Sequence, residues 1–205
     1  MFKKPELISL SDLTNKKLKE EMIKTFRGPT KWSNWVIPDK LLASAYPGYL
    51  TEEKHNEILS SLYSKEISVY VNLMESFELK RFRSYRDGLE KIHKEKSADF
   101  KLEFLHFPIE DGSITDDDNI DKFTDNLIEK LNSDVKMLVH CWGGHGRTGT
   151  IVSLILGKMY SLSPEEVFSR IQIYHDFRLD PRGFLSPETQ IQRDQVERIL
   201  SKKKK

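Results

Sequence analysis

The chain has 205 residues, 38% apolar and 10% aromatic, enough to bury a substantial core in about one large domain. Its 33 Lys and Arg against 32 Asp and Glu leave a net charge of +1, which gives no global pull toward nucleic acid or a membrane surface, and neither is expected as a partner. No apolar run reaches the roughly 18 residues of a transmembrane helix, the Lys3-Lys4 start leads into no signal-peptide core, and one cysteine excludes an internal disulfide, so a cytoplasmic or nuclear setting is expected.

Residues 1–30 read as an N-terminal helical extension, with an exposed helix over 15–27 stopped by Gly28-Pro29. Residues 31–200 read as one alternating domain and 201–205 as a basic tail, most simply a solvated one. Trp35 to Gly48 forms a two-strand entry. Helices are predicted over 52–64, 85–94, 120–132, 147–160 and 164–176, and strands over 67–73, 102–107 and 135–140. Asp116 to Asp118 are placed to cap the helix beginning near Ile120. Ser186 and Pro187 read as the N-cap and first residue of a last helix carrying Ile191, Val196, Ile199 and Leu200.

Strands separated by helices give an α/β fold: a central, mostly parallel twisted sheet with helices on both faces and ligands at the carboxyl ends of the strands. If strand 67–73 lies parallel to strand 135–140, residues 74–87 reach the same rim as whatever follows His140. Two readings of that stretch stand. Its four basic residues, interleaved with Phe77, Phe82 and Tyr85, grip a phosphorylated substrate, or they form an exposed helix with a charged face and an apolar stripe.

The chemistry concentrates in His140-Cys141-Trp142-Gly143-Gly144-His145-Gly146-Arg147-Thr148-Gly149. This decapeptide lies between the strand and the helix 147–160, so the turn aims backbone N–H groups and the positive end of a helix dipole at one spot. Gly143, Gly144 and Gly146 let the backbone curl tightly. The same field favours thiolate over thiol and makes Cys141 a nucleophile. Arg147 supplies a planar fork for two phosphate oxygens, and Trp142 to Arg147 form the phosphate-binding loop. Thr148 can donate its hydroxyl to the departing sulfur. His140 is expected to hydrogen-bond around the loop, His145 to sit at the rim, and Trp142 either to pack behind the loop or to shape the pocket wall. The other histidines lack ligand spacing for zinc, and no metal or cofactor is expected.

His-Cys, five residues, Arg and then Thr resembles the signature of the cysteine-dependent protein tyrosine phosphatase superfamily, in particular its small (atypical) dual-specificity branch. Leu41-Leu42-Ala43, with Tyr46-Pro47-Gly48, is similar to the opening of such domains, and the resemblance runs from about Trp35 to about Leu200. It implies a protein tyrosine phosphatase-like fold and a two-step, metal-free hydrolysis. The thiolate takes the phosphoryl group, water releases it, and a carboxylic acid protonates the leaving oxygen.

Phe107-Pro108-Ile109-Glu110-Asp111-Gly112 looks like the family's acid loop and makes Asp111 the general acid, with Glu110 the competing carboxyl. Ser186-Pro187-Glu188-Thr189-Gln190-Ile191-Gln192 is similar to a stretch that follows the active site in many relatives, where a glutamine positions the hydrolytic water. Gln192 is the candidate for that role, although capping alone accounts for most of the motif. Arg178, Asp180 and Arg182 are either rim residues or paired with one another.

The expected activity is therefore dephosphorylation of phosphotyrosine, with or without phosphoserine and phosphothreonine, in a protein or peptide partner. The alternatives are a phosphatase of a phosphoinositide, phosphoglycan or RNA 5′ end, and a phosphate-binding module without turnover. Because Cys141 has no second cysteine to pair with, peroxide is expected to inactivate the protein without an intramolecular disulfide. Thiol titration with intact-mass analysis checks this.

Overall fold

The computed structural model describes residues 4–97 and 99–202; Lys3 and residues 203–205 of the basic tail lie outside them. Five strands, β1 (Ser33–Ile37), β2 (Leu41–Ser44), β3 (Val69–Asn72), β4 (Glu103–His106) and β5 (Met137–His140), form one sheet in the order β1-β2-β5-β3-β4. Only β1, paired with β2, is antiparallel. The runs Leu41-Leu42-Ala43 and Met137-Leu138-Val139 are buried without alternation, as strands covered on both faces must be.

The register aligns Ser44, Asn72 and, through β3, His106 with His140, so all four parallel strands end at one level. The segments that follow them, 45–51, 73–84, 107–116 and 141–145, therefore share one rim. Residues 28–32 join it because β1 starts where β2 ends, Ser33 pairing with Ser44.

Helix α7 (Gly146–Tyr160) is buried from Gly146 through Gly157 and packs on β5 and β2. Helices α6 (Asp117–Asn132), α8 (Pro164–Asp176) and α9 (Gln190–Lys202) surround it. Helices α3 (Glu52–Tyr63) and α5 (Tyr85–Lys96) pack together on the other face, where the Tyr85 ring meets Tyr70 and His140.

The N-terminal stretch differs from an exposed helix. A 3₁₀ turn at Lys16–Leu18 leads into α2 (Lys19–Phe26), which buries Met22 and Phe26, the latter stacked 4.4 Å from Tyr174. With Leu13 of the short α1 (Leu10–Leu13) also in the core, residues 4–30 extend the same packing unit. Asp116 caps α6 as expected, accepting from the N–H groups of Asp118 and Asn119.

The start of α9 is a correction. The Ser186–Pro187 peptide is cis, the helix begins only at Gln190, and Ser186 does not cap it. Its hydroxyl instead donates to the carbonyl of His145 at 3.0 Å. Gly149 makes that approach possible, since a Cβ there would lie 2.4 Å from Ser186 Oγ.

Candidate active site

β5 delivers Cys141 to the rim at the mouth of α7, where it is buried at 3% exposure and its Sγ accepts the N–H of Gly144 at 3.3 Å. Gly144 has φ of +78°, and a Cβ there would lie 2.4 Å from the backbone of Ser44 and Ala45. The loop can therefore close over β2 only with glycine at this position. Gly144→Ala is expected to cost about 1–3 kcal/mol of stability and to lower kcat/KM about 100-fold by displacing the loop amides around Cys141. Thermal melts and steady-state kinetics check both effects.

Arg147 is the second residue of α7, at 1% exposure. A buried guanidinium needs counter-charge, and Glu78 provides it in a two-pronged pair, Nη1 to Oε2 at 2.7 Å and Nη2 to Oε1 at 2.9 Å. Nη1 also donates to the carbonyl of Ile109, and Nη2 meets Asp111 Oδ1 at 2.8 Å. Nε–H is buried without an acceptor, leaving one donor for a phosphate oxygen. Glu78 comes from α4 (Ser76–Leu79) in the β3–α5 connection. Burial opposes its ionisation, but the hydrogen bonds from Arg147 and from the Glu75 N–H outweigh that and hold the carboxyl below its usual range.

Residues 74–87 thus reach the rim, as the parallel pairing implied, but not as one exposed helix: α4 ends at Leu79 and α5 starts at Tyr85. Phe82 stacks on Tyr46 at 4.2 Å and takes the edge of Trp142 at 5.5 Å, while Arg81 lies 5.4 Å over the Trp142 ring. Trp142, 42% exposed, therefore packs against this segment at the rim. Arg83 donates to the carbonyl of Leu50, and Arg86 pairs with Glu90.

Arg178 turns inward and does not pair with Asp180. It is 4% exposed, donates from Nε to Asn34 Oδ1 and from Nη2 to the carbonyl of Gly144, both at 2.7 Å, and holds the back of the loop. Burial pushes its pKa down to about 9. Asp180 meets Lys31, the indole N–H of Trp32 and, at 3.8 Å, Arg182.

Three histidines surround the loop. His140 is bonded to Tyr85 Oη at 2.9 Å and to the carbonyl of Cys141 at 3.3 Å. His145 stacks on Phe184 and meets the ring of His175, whose two nitrogens are buried without hydrogen-bond partners. Burial pushes their pKa values down, to about 3 for His140, about 4 for His145 and about 3 for His175. The unfolded chain takes up these protons near pH 6.5, whereas the folded chain resists them to about pH 4 or below. Stability conferred by the neutral rings is therefore present above pH 6.5 and falls as pH drops from there toward 4. The Tm is expected to decline over that window by about 2–4 °C for each kcal/mol lost, and less steeply in His175→Phe. A pH series of melts reads the difference.

The remaining sequence candidates sit around this centre. Asp111 has a side chain 70% exposed and reaches Arg147 from the β4–α6 segment. Thr148 is buried, and its hydroxyl has no hydrogen-bond partner, Sγ included. Gln192 is buried with its amide engaged: Oε1 accepts the N–H groups of Glu188 and Thr189, and Nε2 donates to the carbonyl of Ser113. With Thr189 bonded to Gly112 and Gln195 to Thr115, the segment around α9 clamps the loop that carries Asp111. Among the described residues no cluster of three or more His, Cys, Asp or Glu has metal-holding geometry, and no described helix is long and apolar enough to cross a membrane.

Sequence reasoning missed Glu78 and the inward role of Arg178. The signal for Glu78 was an acid among basic neighbours on a rim segment, facing an arginine that the apolar helix 147–160 was bound to bury.

Residues 30–196 match the sequence family described as "Swiss Army Knife protein, DSP-PTPase phosphatase domain". The chain is 31% identical over 119 residues to a putative tyrosine phosphatase of Invertebrate iridescent virus 6, covering 55% of this chain and 43% of that one. It is 30% identical over 152 residues to a putative tyrosine phosphatase of Invertebrate iridescent virus 3, covering 71% of this chain and 54% of that one. The chain thus spans about half the length of these curated relatives. Among solved structures, Tk-PTP in the active form superimposes with a TM-score of 0.60 at 22% identity over 82% of this chain and 96% of that one. Kinase associated phosphatase with its catalytic cysteine replaced by serine superimposes with a TM-score of 0.62 at 21% identity over 79% and 86%.

Proposed function

The chain belongs to the DSP-PTPase phosphatase family, and from that premise we propose that it hydrolyses phosphomonoesters through a phosphocysteine intermediate, with phosphotyrosine, alone or together with phosphoserine and phosphothreonine, in proteins as substrate. The observation that carries the reading is the guanidinium of Arg147, fixed by Glu78 beside the Cys141 loop with a free buried Nε–H.

A phosphoryl dianion enters the loop between its N–H groups and Arg147, displacing Asp111 from the guanidinium. The Cys141 thiolate attacks phosphorus in line, and Asp111, protonated from solvent once it is freed from the guanidinium, gives that proton to the leaving oxygen. Water, activated by the same carboxylate, then attacks the phosphocysteine, and Thr148 donates to the sulfur as it leaves. In this reading Gln192 acts through its clamp on Ser113, which holds the Asp111 loop in place. A nucleophilic thiolate without a protecting cysteine fits a reducing compartment.

Phosphate release from matched phosphotyrosyl, phosphoseryl and phosphothreonyl peptides, phosphoinositides, a phosphoglycan and 5′-triphosphorylated RNA, with Cys141→Ser as blank, tests the substrate class. Peptide turnover that vanishes in the blank is the expected result. Turnover confined to a lipid, glycan or RNA overturns the protein reading, and binding without turnover overturns the enzymatic one. Reversing Arg81 and Arg83 to Glu is expected to change the substrate ranking.

A further inference from the structure

The large apolar side chains that stay exposed among the described residues are Leu50, Phe77, Trp142, Leu179, Phe184, Leu185 and Ile191. All seven lie on one end of the molecule. Leu50, Phe77 and Trp142 are on segments that follow β2, β3 and β5; Leu179, Phe184 and Leu185 are on the α8–α9 connection; Ile191 opens α9. That connection is tied to the rim by Arg178 to Gly144, Ser186 to His145 and Asp180 to Lys31. The amino ends of the strands carry no such residue among those described. Isolated exposed apolar groups need no explanation, but a set confined to one functional face marks a contact surface.

The set is continuous with the mouth of the site. Trp142 and His145 are loop residues, and Phe184 stacks 4.4 Å from the His145 ring. Leu50 lends its carbonyl to Arg83, next to the Phe82–Trp142 pair. Leu179 closes a cavity of about 400 Å³ with Trp32, Tyr49, Lys54 and Ile58, wide enough for an apolar side chain.

The charge of this face selects among occupants. A bilayer contact pairs apolar groups with a clear excess of Lys and Arg. Here Lys31, Lys54, Lys80, Arg81, Arg83 and Arg182 are matched by Glu57, Glu75, Glu110, Asp111, Asp116, Asp180 and Glu188. Such a surface gains little from an anionic membrane, whereas a polypeptide can supply apolar side chains with no net charge of its own.

We propose that this collar docks an extended polypeptide segment bearing apolar residues within a few positions of the phosphorylated side chain, one of them seated in the cavity between Trp32 and Leu179. The inference rests on the phosphatase reading above and narrows its substrate. It makes recognition a matter of apolar flanks around the phosphate, with the collar contributing to peptide capture and nothing to the chemistry at Cys141.

The test uses the full chain and two phosphotyrosyl peptide series that differ only in having Leu, Ile or Phe, or Ser and Gly, on either side of the phosphoresidue. The apolar series is expected to show kcat/KM about 10- to 100-fold higher, from burial of one or two side chains. Leu50→Ser combined with Leu179→Ser should remove about tenfold of that preference while leaving turnover of p-nitrophenyl phosphate unchanged.

Equal kcat/KM for the two series, or a preference that survives the double substitution, overturns the inference. So does recruitment to phosphoinositide vesicles that the double substitution abolishes, which assigns the collar to a bilayer, or a dimer that it dissolves, which assigns the collar to a second copy. If p-nitrophenyl phosphate is not turned over at all, the phosphatase reading fails by itself. Peptide affinities of the Cys141→Ser protein, read by fluorescence anisotropy, then still decide whether the collar prefers apolar flanks.

Discussion

Arg147→Lys is expected to lower kcat/KM for a phosphotyrosyl peptide by about 10⁴-fold while leaving a folded protein. Removing one well-placed donor from a developing charge costs about 10²–10³ in rate, and lysine removes more than one. It cannot hold two phosphate oxygens in a plane, and its strongly hydrated ammonium is a poor substitute in a buried site. Glu78 shapes the outcome further, because its two oxygens now take the two ends of the guanidinium at 2.7 and 2.9 Å. A lysine satisfies one of them at best. The buried carboxylate left half-partnered is expected to cost about 1–3 kcal/mol of stability. Steady-state kinetics and a melt separate the two effects, and inorganic phosphate should protect the parent protein against heat more than the variant. A variant that keeps activity within tenfold would show that the guanidinium does not carry the transition-state charge.

Asp111→Asn carries the second large effect, and its size depends on the leaving group. A positioned acid contributes about 10²–10⁴ when the departing oxygen is basic. Phosphoseryl and phosphotyrosyl peptides should therefore lose rate in that range, and p-nitrophenyl phosphate, whose phenolate leaves readily, should lose far less. Glu110→Gln provides the comparison. Asp111 contacts Arg147 at 2.8 Å and stands over the loop; Glu110 is exposed beside it. If the leaving-group dependence followed Glu110→Gln, the acid would be assigned to the wrong carboxyl.

Much of this arrangement was legible because its signals are local. Cys141, Arg147 and three glycines lie within one strand-to-helix turn, and alternating strand and helix patterns sufficed for a mostly parallel sheet. What could not be read depends on contacts distant in sequence. Glu78 reaches Arg147 across 69 positions, and Arg178 reaches Gly144 across 34. Nothing in either local pattern separates an inward charge from a solvated one. Ser186-Pro187 reads as a helix start on propensity, yet its hydroxyl is drawn to His145 by packing against Gly149, a tertiary preference that overrides the capping rule. The stretch 15–27 reads as an exposed helix, whereas α2 covers Lys19–Phe26 and turns Met22 and Phe26 into the core.

A covalent phosphocysteine on Cys141 leaves a mark that can be caught by a rapid acid quench of the protein with phosphotyrosyl peptide labelled in its phosphate, followed by peptide mapping. Label is expected on the peptide containing Cys141 within the first turnover, longer-lived label in a variant slowed in hydrolysis such as Asp111→Asn, and none in Cys141→Ser. Turnover that continues in Cys141→Ser, or phosphate released without label ever residing on Cys141, would contradict it.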